Sequence, residues 1–251
     1  MEDLIKKVAR EIVDAERIVA LTGAGISVES GIAPFRGKGG LWEKYDPEEY
    51  AHIVTFRKNP ERSWIMLKEM LDVILAAKPN PAHKSLARLE EIGKLRCIIT
   101  QNVDSLHQEA GSKDVIEFHG NNRWLVCMEC RKKYRADKPV EEIPPRCECG
   151  GVLKPDAVFF GEPIPVDALY RSQEESEKCD VMLVIGTSGV VQPAASMPSI
   201  AKRSGARIVE INPEPTMITP IADYFLQGSA AKILPRIVEE VETLLGEKHG
   251  S

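Results

Sequence analysis

The chain has 251 residues, 43% of them hydrophobic, and a formal net charge of -5 at pH 7. That length supports one large core, or one core with a smaller appendage, and the acidic balance gives no blanket attraction to nucleic acid or to acidic membranes. The longest apolar runs are strand-sized, short of the roughly 20 residues of a membrane span, and the charged start Met1-Glu2-Asp3-Leu4-Ile5-Lys6-Lys7 has no signal-peptide core, so a cytoplasmic location is expected.

Residues 3–16 place Leu4, Ile5, Val8, Ile12 and Val13 at helical spacing, which predicts an amphipathic helix packed on a sheet. A strand over 18–22 runs into Gly23-Ala24-Gly25, a turn suited to cradling phosphate because neither glycine carries a Cβ. The dehydrogenase fingerprint needs a third glycine where Val28 stands, and no strand ending in an acidic ribose ligand follows. By itself the turn also fits an ordinary α/β protein. Pro60 opens a helix to about residue 77 with Trp64, Leu67, Leu71 and Ile74 on one side. Asn80-Pro81 reads as the N-cap and first turn of a helix to about residue 92. A strand over 96–100 leads into Gln101-Asn102-Val103-Asp104, followed by a short helix containing Leu106 and His107. A strand over 115–118 ends at His119-Gly120. Strand character returns over 157–160, before Gly161-Glu162-Pro163. A helix over 166–177 precedes a strand over 181–185 that ends at Gly186-Thr187-Ser188-Gly189. A helix over 194–204 precedes a strand over 207–211 that ends at Asn212-Pro213-Glu214. A strand near 224–226 and a helix over 230–245 close the chain.

Strands alternating with helices imply an α/β fold, a parallel sheet covered on both faces, with ligands outside the carboxyl ends of its strands. Several strands end in small or polar clusters, which predicts one crevice lined by backbone N–H groups, amides, a carboxylate and an imidazole. Residues 39–79 and 121–155 break the alternation and read as two insertions forming a smaller domain. Residues 1–38, 80–120 and 156–251 carry the sheet.

Six cysteines are present, four of them in one window. Cys127-x-x-Cys130 and Cys147-x-Cys149 have the spacing of a closed tetrahedral zinc site, one structural ion whose binding would help fold a segment with few apolar residues. The second pair has one intervening residue where a knuckle has two, and Gly150-Gly151 relieve the backbone beyond it. A redox role for the first pair is less favoured, and Arg131-Lys132-Lys133 is too small a basic run to argue for nucleic acid. Cys97 and Cys179 read as small buried apolar residues.

In order, these pieces resemble the sirtuin family of NAD-dependent protein-lysine deacylases: Gly23-Ala24-Gly25-Ile26-Ser27, Gly31-Ile32-Ala33-Pro34-Phe35-Arg36, Thr100-Gln101-Asn102-Val103-Asp104, His119-Gly120, the four cysteines, Phe160-Gly161-Glu162, Gly186-Thr187-Ser188 and Asn212. The resemblance spans about residues 4 to 245. It implies a Rossmann-type domain for the sheet, and a smaller domain made of a helical module and a zinc ribbon. It further implies NAD lying across the crevice, with its pyrophosphate at Gly23-Ala24-Gly25 and Ser27 and Arg36 beside it. Gln101, Gly186, Thr187, Ser188, Asn212, Pro213, Glu214 and Ala230 complete the implied NAD site. Asn102 and Asp104 would orient the carboxamide and ribose, Phe35 would exclude water, and His119 would act as general base toward a ribose hydroxyl. Acylated protein or peptide would bind by strand addition between Val158, Phe160, Gly161 and Glu162 on one side and Gly189, Val190 and Val191 on the other.

Outside this constellation the same residues have plain readings: Phe35 as a core aromatic, Asp104 as a helix cap, His119 as a packed residue. His52, His83, His107 and His249 keep that structural reading. Two departures from the family pattern stand out. Ala33-Pro34 reverses its usual order, shifting the rigid φ by one position, and Gly189 replaces an aliphatic residue, which would loosen the segment beside it. Members that prefer acidic acyl groups carry a tyrosine and an arginine where Leu67 and Met70 stand here, so acetyl or longer apolar acyl groups are expected. Transfer of ADP-ribose to protein and non-catalytic sensing of NAD are the alternatives.

Overall fold

The computed structural model describes residues 1–37 and 39–249. Lys38, Gly250 and Ser251, assigned above to the larger domain, lie outside the described residues, as does the side chain of His249. Among the described residues nine strands appear in chain order: β1 (Ile18–Thr22), β2 (Leu95–Thr100), β3 (Val115–Glu117), β4 (Gly120–Cys127), β5 (Lys133–Arg135), β6 (Leu153–Ala157), β7 (Val181–Ile185), β8 (Arg207–Asn212) and β9 (Tyr224–Gln227). The helices are α1 (Glu2–Asp14), α2 (Leu41–Lys44), α3 (Pro47–Tyr50), α4 (Ile53–Lys58), α5 (Pro60–Ala76), α6 (Pro81–Glu91), α7 (Leu106–Glu109), α8 (Val166–Lys178), α9 (Met197–Arg203) and α10 (Ala230–His249).

Six strands form one parallel sheet in the order β3-β2-β1-β7-β8-β9. β1 and β7 are buried at every position, as strands covered on both faces must be. Side chains alternate between two cores. Ile18, Ala20, Leu183 and Ile185 face a layer with Ile5, Val8 and Ile12 of α1, Leu86 and Leu89 of α6, and Leu234 and Ile237 of α10. Val19, Leu21, Met182 and Val184 face Met197 and Ala201 of α9, with Ala168 and Leu169 of α8 at the margin. Cys97 and Cys179 lie in this second core, and burial pushes both thiols up to about 12.

Register sets the functional edge. Thr22 is level with Thr100 on one side and Ile185 on the other, so the strands end together. From β1 the chain winds outward to β2 and β3, and from β7 it winds the opposite way to β8 and β9. Loops after β1 and β7 therefore leave in opposite directions and open a crevice between them.

A second, antiparallel sheet has the order β5-β4-β6. It shares one core with α3, α4 and α5, including Tyr50, Phe56, Trp64, Leu71, Leu125, Leu153 and Phe159. Trp64 ties the two parts by donating from Nε1 to the Leu153 carbonyl at 2.9 Å. The strand expected over 157–160 is displaced: β6 ends at Ala157 and pairs with β4, away from the parallel sheet. The backbone beyond it is taken otherwise. Phe160 donates to Ala51 and accepts from Ile53, and the Phe159 N–H goes to Glu162 Oε2. Pro155 is tolerated because β6 is an edge strand. β4 was not foreseen as a strand. It begins directly after His119, which leaves that residue between two anchored strands. The helix expected over 194–204 starts with a 3-10 turn, Ala194–Ser196, before α9.

The glycine turn has a further reason for being glycine. A Cβ on Gly23 would lie 2.8 Å from the Gly186 oxygen, and one on Gly25 would lie 2.7 Å from the Gly186 Cα. Gly186 itself has φ +61, and a Cβ there would reach 2.4 Å from Ile26 N. The turns after β1 and β7 thus pack backbone to backbone, sealed by Gly25 N donating to Gly186 O at 2.8 Å. In place of a third glycine, residues Ala24–Ser30 form a 3-10 helix. Gly186→Ala combines a left-handed backbone with overpacking and should lower unfolding free energy by about 3 kcal/mol or more. Gly205→Ala, at φ +99 with open space around it, should cost about 1 kcal/mol. Denaturant titration of both variants checks this, and equal losses would contradict the packing argument.

Candidate functional site

The crevice is a cleft of about 1050 Å³ running from the strand ends to the α5 side of the small sheet. Gly23, Ala24, Gly25, Gln101, Asn102, Gly186, Thr187, Ser188, Asn212, Pro213, Glu214 and Ala230 line its polar part. Phe35, Arg36 and His119 also line it, and Met66, Leu67, Met70, Val158 and Phe159 make an apolar end.

A web of amides fixes the polar wall. Gln101 Nε2 donates to Thr187 Oγ1 at 3.0 Å, and Asn212 Nδ2 donates to the Thr187 carbonyl at 2.8 Å. Asn102 donates from Nδ2 to the Gly23 carbonyl at 3.1 Å and to Ser27 Oγ at 3.2 Å. Both amide protons are thereby spent, so Asn102 presents its Oδ1 to the cleft. Ser27 and Asp104 are not at the cleft surface. They stand behind Asn102, with Ser27 Oγ donating to Asp104 Oδ2 at 2.7 Å. The other Asp104 oxygen accepts from Leu106 N at 2.9 Å, so the carboxylate also closes the turn that leads into α7. Ser105, at φ 62, makes the turn that allows this.

His119 Nδ1 lies 3.1 Å from the Gln101 carbonyl. A carbonyl only accepts, so Nδ1 carries the proton and Nε2 keeps its lone pair. Burial lowers its pKa, and the Gln101 contact offsets this in part. The ring is therefore a neutral base at pH 7. Phe118 packs edge-on against it at 5.3 Å.

Over the cleft, Phe35 stacks on Trp42 at 5.3 Å, and Trp42 on Phe160 at 6.2 Å. The Pro34 and Phe35 carbonyls accept from Leu41 and Trp42 N–H groups, which ties the Ala33-Pro34 loop to α2. Phe160 has its backbone committed to residues 51–53, so only its ring and the free groups of Val158 and Gly161 remain for a ligand. Glu162 is drawn inward by Lys154. That lysine is 8% exposed, pairs with Glu162 at 2.9 Å, donates to the Ala157 carbonyl at 2.6 Å and sits 4.1 Å from the Phe159 ring centroid. On the facing side Val190 is exposed, while the Val191 carbonyl accepts from Ala195 N. Gly189 has φ +69, and a Cβ there would lie 2.8 Å from the Ile218 side chain, so this turn favours glycine.

The four cysteine sulfurs converge within 4.8 Å of one another, with Cys127–Cys149 and Cys130–Cys147 at 3.5 Å. A zinc–sulfur tetrahedron has sulfur–sulfur edges of about 3.8 Å, so the set fits one zinc ion with no open position. Gly150, at φ +86, and Gly151, where a Cβ would lie 2.7 Å from Cys127 Sγ, let the shortened Cys147-x-Cys149 pair close.

Two buried histidines escaped the sequence reading as parts of this site. His83 accepts from Asn80 N at Nδ1, completing the cap of α6, and its Nε2 lies 3.4 Å from Ser27 Oγ. His107 Nε2 lies 3.0 Å from Thr22 Oγ1, and the two rings meet at 4.9 Å. The Asn80-Pro81-x-His83 spacing was the one available signal. His52 keeps its structural role, capping α4 by accepting from Val54 N.

A doubly wound parallel sheet with a switch-point crevice, joined to a four-cysteine zinc-ribbon sheet, defines a Rossmann-type α/β protein with a zinc-binding module. The sequence model of the Sir2 family matches residues 23–193. The chain is 53% identical over 239 residues to NAD-dependent protein deacylase 2 of Pyrobaculum aerophilum, covering 95% of this chain and 96% of that one. It superposes on a Sir2 homolog–NAD complex with a TM-score of 0.90 at 46% identity, covering 95% and 94% of the two chains. It also superposes on Sir2Af2 bound to a myristoylated histone peptide, with a TM-score of 0.83 at 40% identity and 98% and 100% coverage. The chain belongs to the Sir2 family. Among the described residues no helix is long and apolar enough to cross a membrane.

Burial holds His83 at about 4 and His107 well below its ordinary value of 6.5. Unfolding restores both toward 6.5, so below that pH the unfolded chain binds protons that the folded chain does not. Stability should fall as pH drops from 6.5 toward 4, by on the order of 3 kcal/mol for His83 alone. Asp104, raised by burial, opposes this with one proton of opposite sign. Denaturant midpoints measured across this range check the slope, and a flat profile would contradict it.

Proposed function

We infer that the protein removes acetyl and longer apolar acyl groups from protein lysine side chains, using NAD as co-substrate and releasing nicotinamide and O-acyl-ADP-ribose. The observation that carries this is His119, whose proton is fixed on Nδ1 by the Gln101 carbonyl so that Nε2 stays basic. It stands between a polar wall suited to a dinucleotide and an apolar end suited to an acyl chain.

NAD supplies a ribose carbon made electrophilic as nicotinamide departs. The chain's own residues do the rest. The Gly23-Ala24-Gly25 turn brings backbone up to the pyrophosphate, with Arg36 beside it. Asn102 Oδ1 accepts from the nicotinamide carboxamide, while Ser27 and Asp104 act through Asn102 by fixing its orientation. Gln101, Gly186, Thr187, Ser188, Asn212, Pro213, Glu214 and Ala230 hold the adenosine half. His119 Nε2 takes a proton from a ribose hydroxyl. Phe35, held by Trp42, covers the reacting carbon against water. Val158, Gly161 and Glu162 on one edge and Gly189, Val190 and Val191 on the other flank an acyl-lysine peptide that adds as a strand. The Phe160 ring forms part of the same wall. In this reading residues 1–38, 80–120 and 156–251 form the NAD-binding domain. The smaller domain comprises 39–79 and the zinc ribbon 121–155. A cytoplasmic location agrees with this chemistry.

Among the described residues no cation lines the apolar end of the cleft: Met66 and Leu67 are buried and Met70 half-buried. A carboxylate brought there would be desolvated without a partner. Acetyl-lysine peptide should therefore be turned over at least tenfold faster than succinyl-lysine peptide. His119→Ala should lower the acetyl rate by roughly 10²- to 10⁴-fold, the share of a general base. Equal acetyl and succinyl rates would sink the pocket assignment, and an undiminished His119→Ala rate would sink the assignment of the base.

A further inference from the structure

Lys154 lies on β6, outside the lining of the cleft, and its side chain is only 8% exposed. An ammonium has three protons to give, and here each has an acceptor. They are the Pro155 carbonyl at 3.1 Å, the Ala157 carbonyl at 2.6 Å and Glu162 Oε2 at 2.9 Å. The same nitrogen rests 4.1 Å from the Phe159 ring centroid, and that ring packs edge-on against Phe56 at 5.5 Å. Burial lowers the lysine's pKa, and Glu162 offsets this in part. An apolar side chain would fill the site without that desolvation, so the charge calls for a role besides stability.

What the ammonium holds is the backbone beyond β6. The peptide unit between Ala157 and Val158 is gripped at both ends: its carbonyl by Lys154, and its N–H by the His119 carbonyl at 2.9 Å. One rigid plane thus joins Lys154 to the backbone of the residue that carries the base. Residues 159–162 then form a turn closed by Glu162 N donating to the Phe159 carbonyl at 2.9 Å. Gly161, third in that turn, has φ +80, a backbone that favours glycine. The Glu162 carboxylate folds back on the turn, accepting from Phe159 N at 2.9 Å, and Lys154 binds the same oxygen. With these bonds made, the Val158 carbonyl and the Gly161 N–H and carbonyl have no partner among the described residues, and both residues line the cleft.

We propose that Lys154 is a positioning residue for the acyl-lysine peptide: by fixing the Ala157–Val158 unit and the 159–162 turn, it aims the free backbone groups of Val158 and Gly161 at an added strand. The inference rests on the deacylase reading and adds to it a residue that touches neither substrate. Strand addition draws its affinity from main-chain hydrogen bonds, so an edge already set in direction binds at less entropic cost. Without the ammonium, the Ala157 carbonyl and the Glu162 carboxylate lose a shared anchor, and the peptide itself must order the edge. The polar wall is held by the Gln101, Asn102 and Asn212 amides, none of whose bonds involves Lys154. Peptide and NAD should therefore respond differently to its loss.

The test is steady-state kinetics of Lys154→Met with acetyl-lysine peptide and NAD, each varied at saturation of the other, beside a thermal melt. Methionine keeps an unbranched stem and removes the charge. KM for the peptide should rise about tenfold while KM for NAD stays within about twofold, the mark of binding lost for one substrate alone. Gly205→Ala, a destabilising change outside the cleft, should leave both values unchanged. A purely structural role for Lys154 lowers the melting temperature and leaves both KM values unchanged or moving together, and either result overturns the proposal. Where Lys154→Met does not fold, Lys154→Arg is read in the same way. It keeps the charge but spreads it over a planar fork that cannot gather three acceptors at one point, so the peptide KM alone should rise by about threefold or more. An unchanged peptide KM in that variant also overturns the proposal. Failure of the wild-type protein to release nicotinamide with acetyl-lysine peptide would instead overturn the deacylase reading itself.

Discussion

The contact between the turns after β1 and β7 is the constraint on which the rest of the site depends. Gly25 N donates to Gly186 O, and a Cβ on Gly23, Gly25 or Gly186 would collide with the opposite turn. Because the two turns touch, the strand ends of β1, β2, β7 and β8 bring Asn102, Gln101, Thr187 and Asn212 within one hydrogen-bonded web. Because the chain winds away in opposite directions from β1 and β7, the space above that web stays open. Glycine here serves the protein's own packing first, and a bare backbone facing the cleft is a consequence.

The chemistry is positioned by what stands behind it. Asn102 faces the cleft only because Ser27 and Gly23 occupy its amide protons, and Ser27 is set in turn by Asp104 and His83. His119 is held by strands on both sides and by the Gln101 carbonyl, which fixes both its tautomer and its direction. On the far wall, Lys154 pulls Glu162 and the Ala157 carbonyl inward, and so shapes the loop that flanks the proposed peptide site. The zinc ribbon contributes by anchoring β4 and β6, which lead to that loop and from His119.

Much of this was legible in the sequence. The strand runs of β1 and β7 are continuous apolar segments, those of β2 and β8 are apolar apart from Arg96, Arg207 and Glu210, and each ends in a polar or glycine cluster that marks the crevice edge. The cysteine spacing placed the zinc site, and the ordered motifs placed the family. What escaped has physical reasons. β4 contains Asn121, Asn122 and Arg123, which mask its alternation. Residues 157–160 look like a strand by composition, yet their backbone is claimed by residues 51–53 and by Glu162. His83, His107 and Lys154 each resemble an ordinary polar residue until burial shows how few partners they have or how closely they are bound.

The central claim is that the acyl group passes from lysine to the ADP-ribose part of NAD within this cleft. Its most direct test is a product balance: acetyl-lysine peptide labelled in the acetyl group, NAD and the protein, with each product quantified. The account predicts one nicotinamide released per acetyl group lost from the peptide, the label recovered on ADP-ribose, and no release of either without the peptide. Label recovered as free acetate, nicotinamide release that does not need the peptide, or ADP-ribose retained on protein would contradict it.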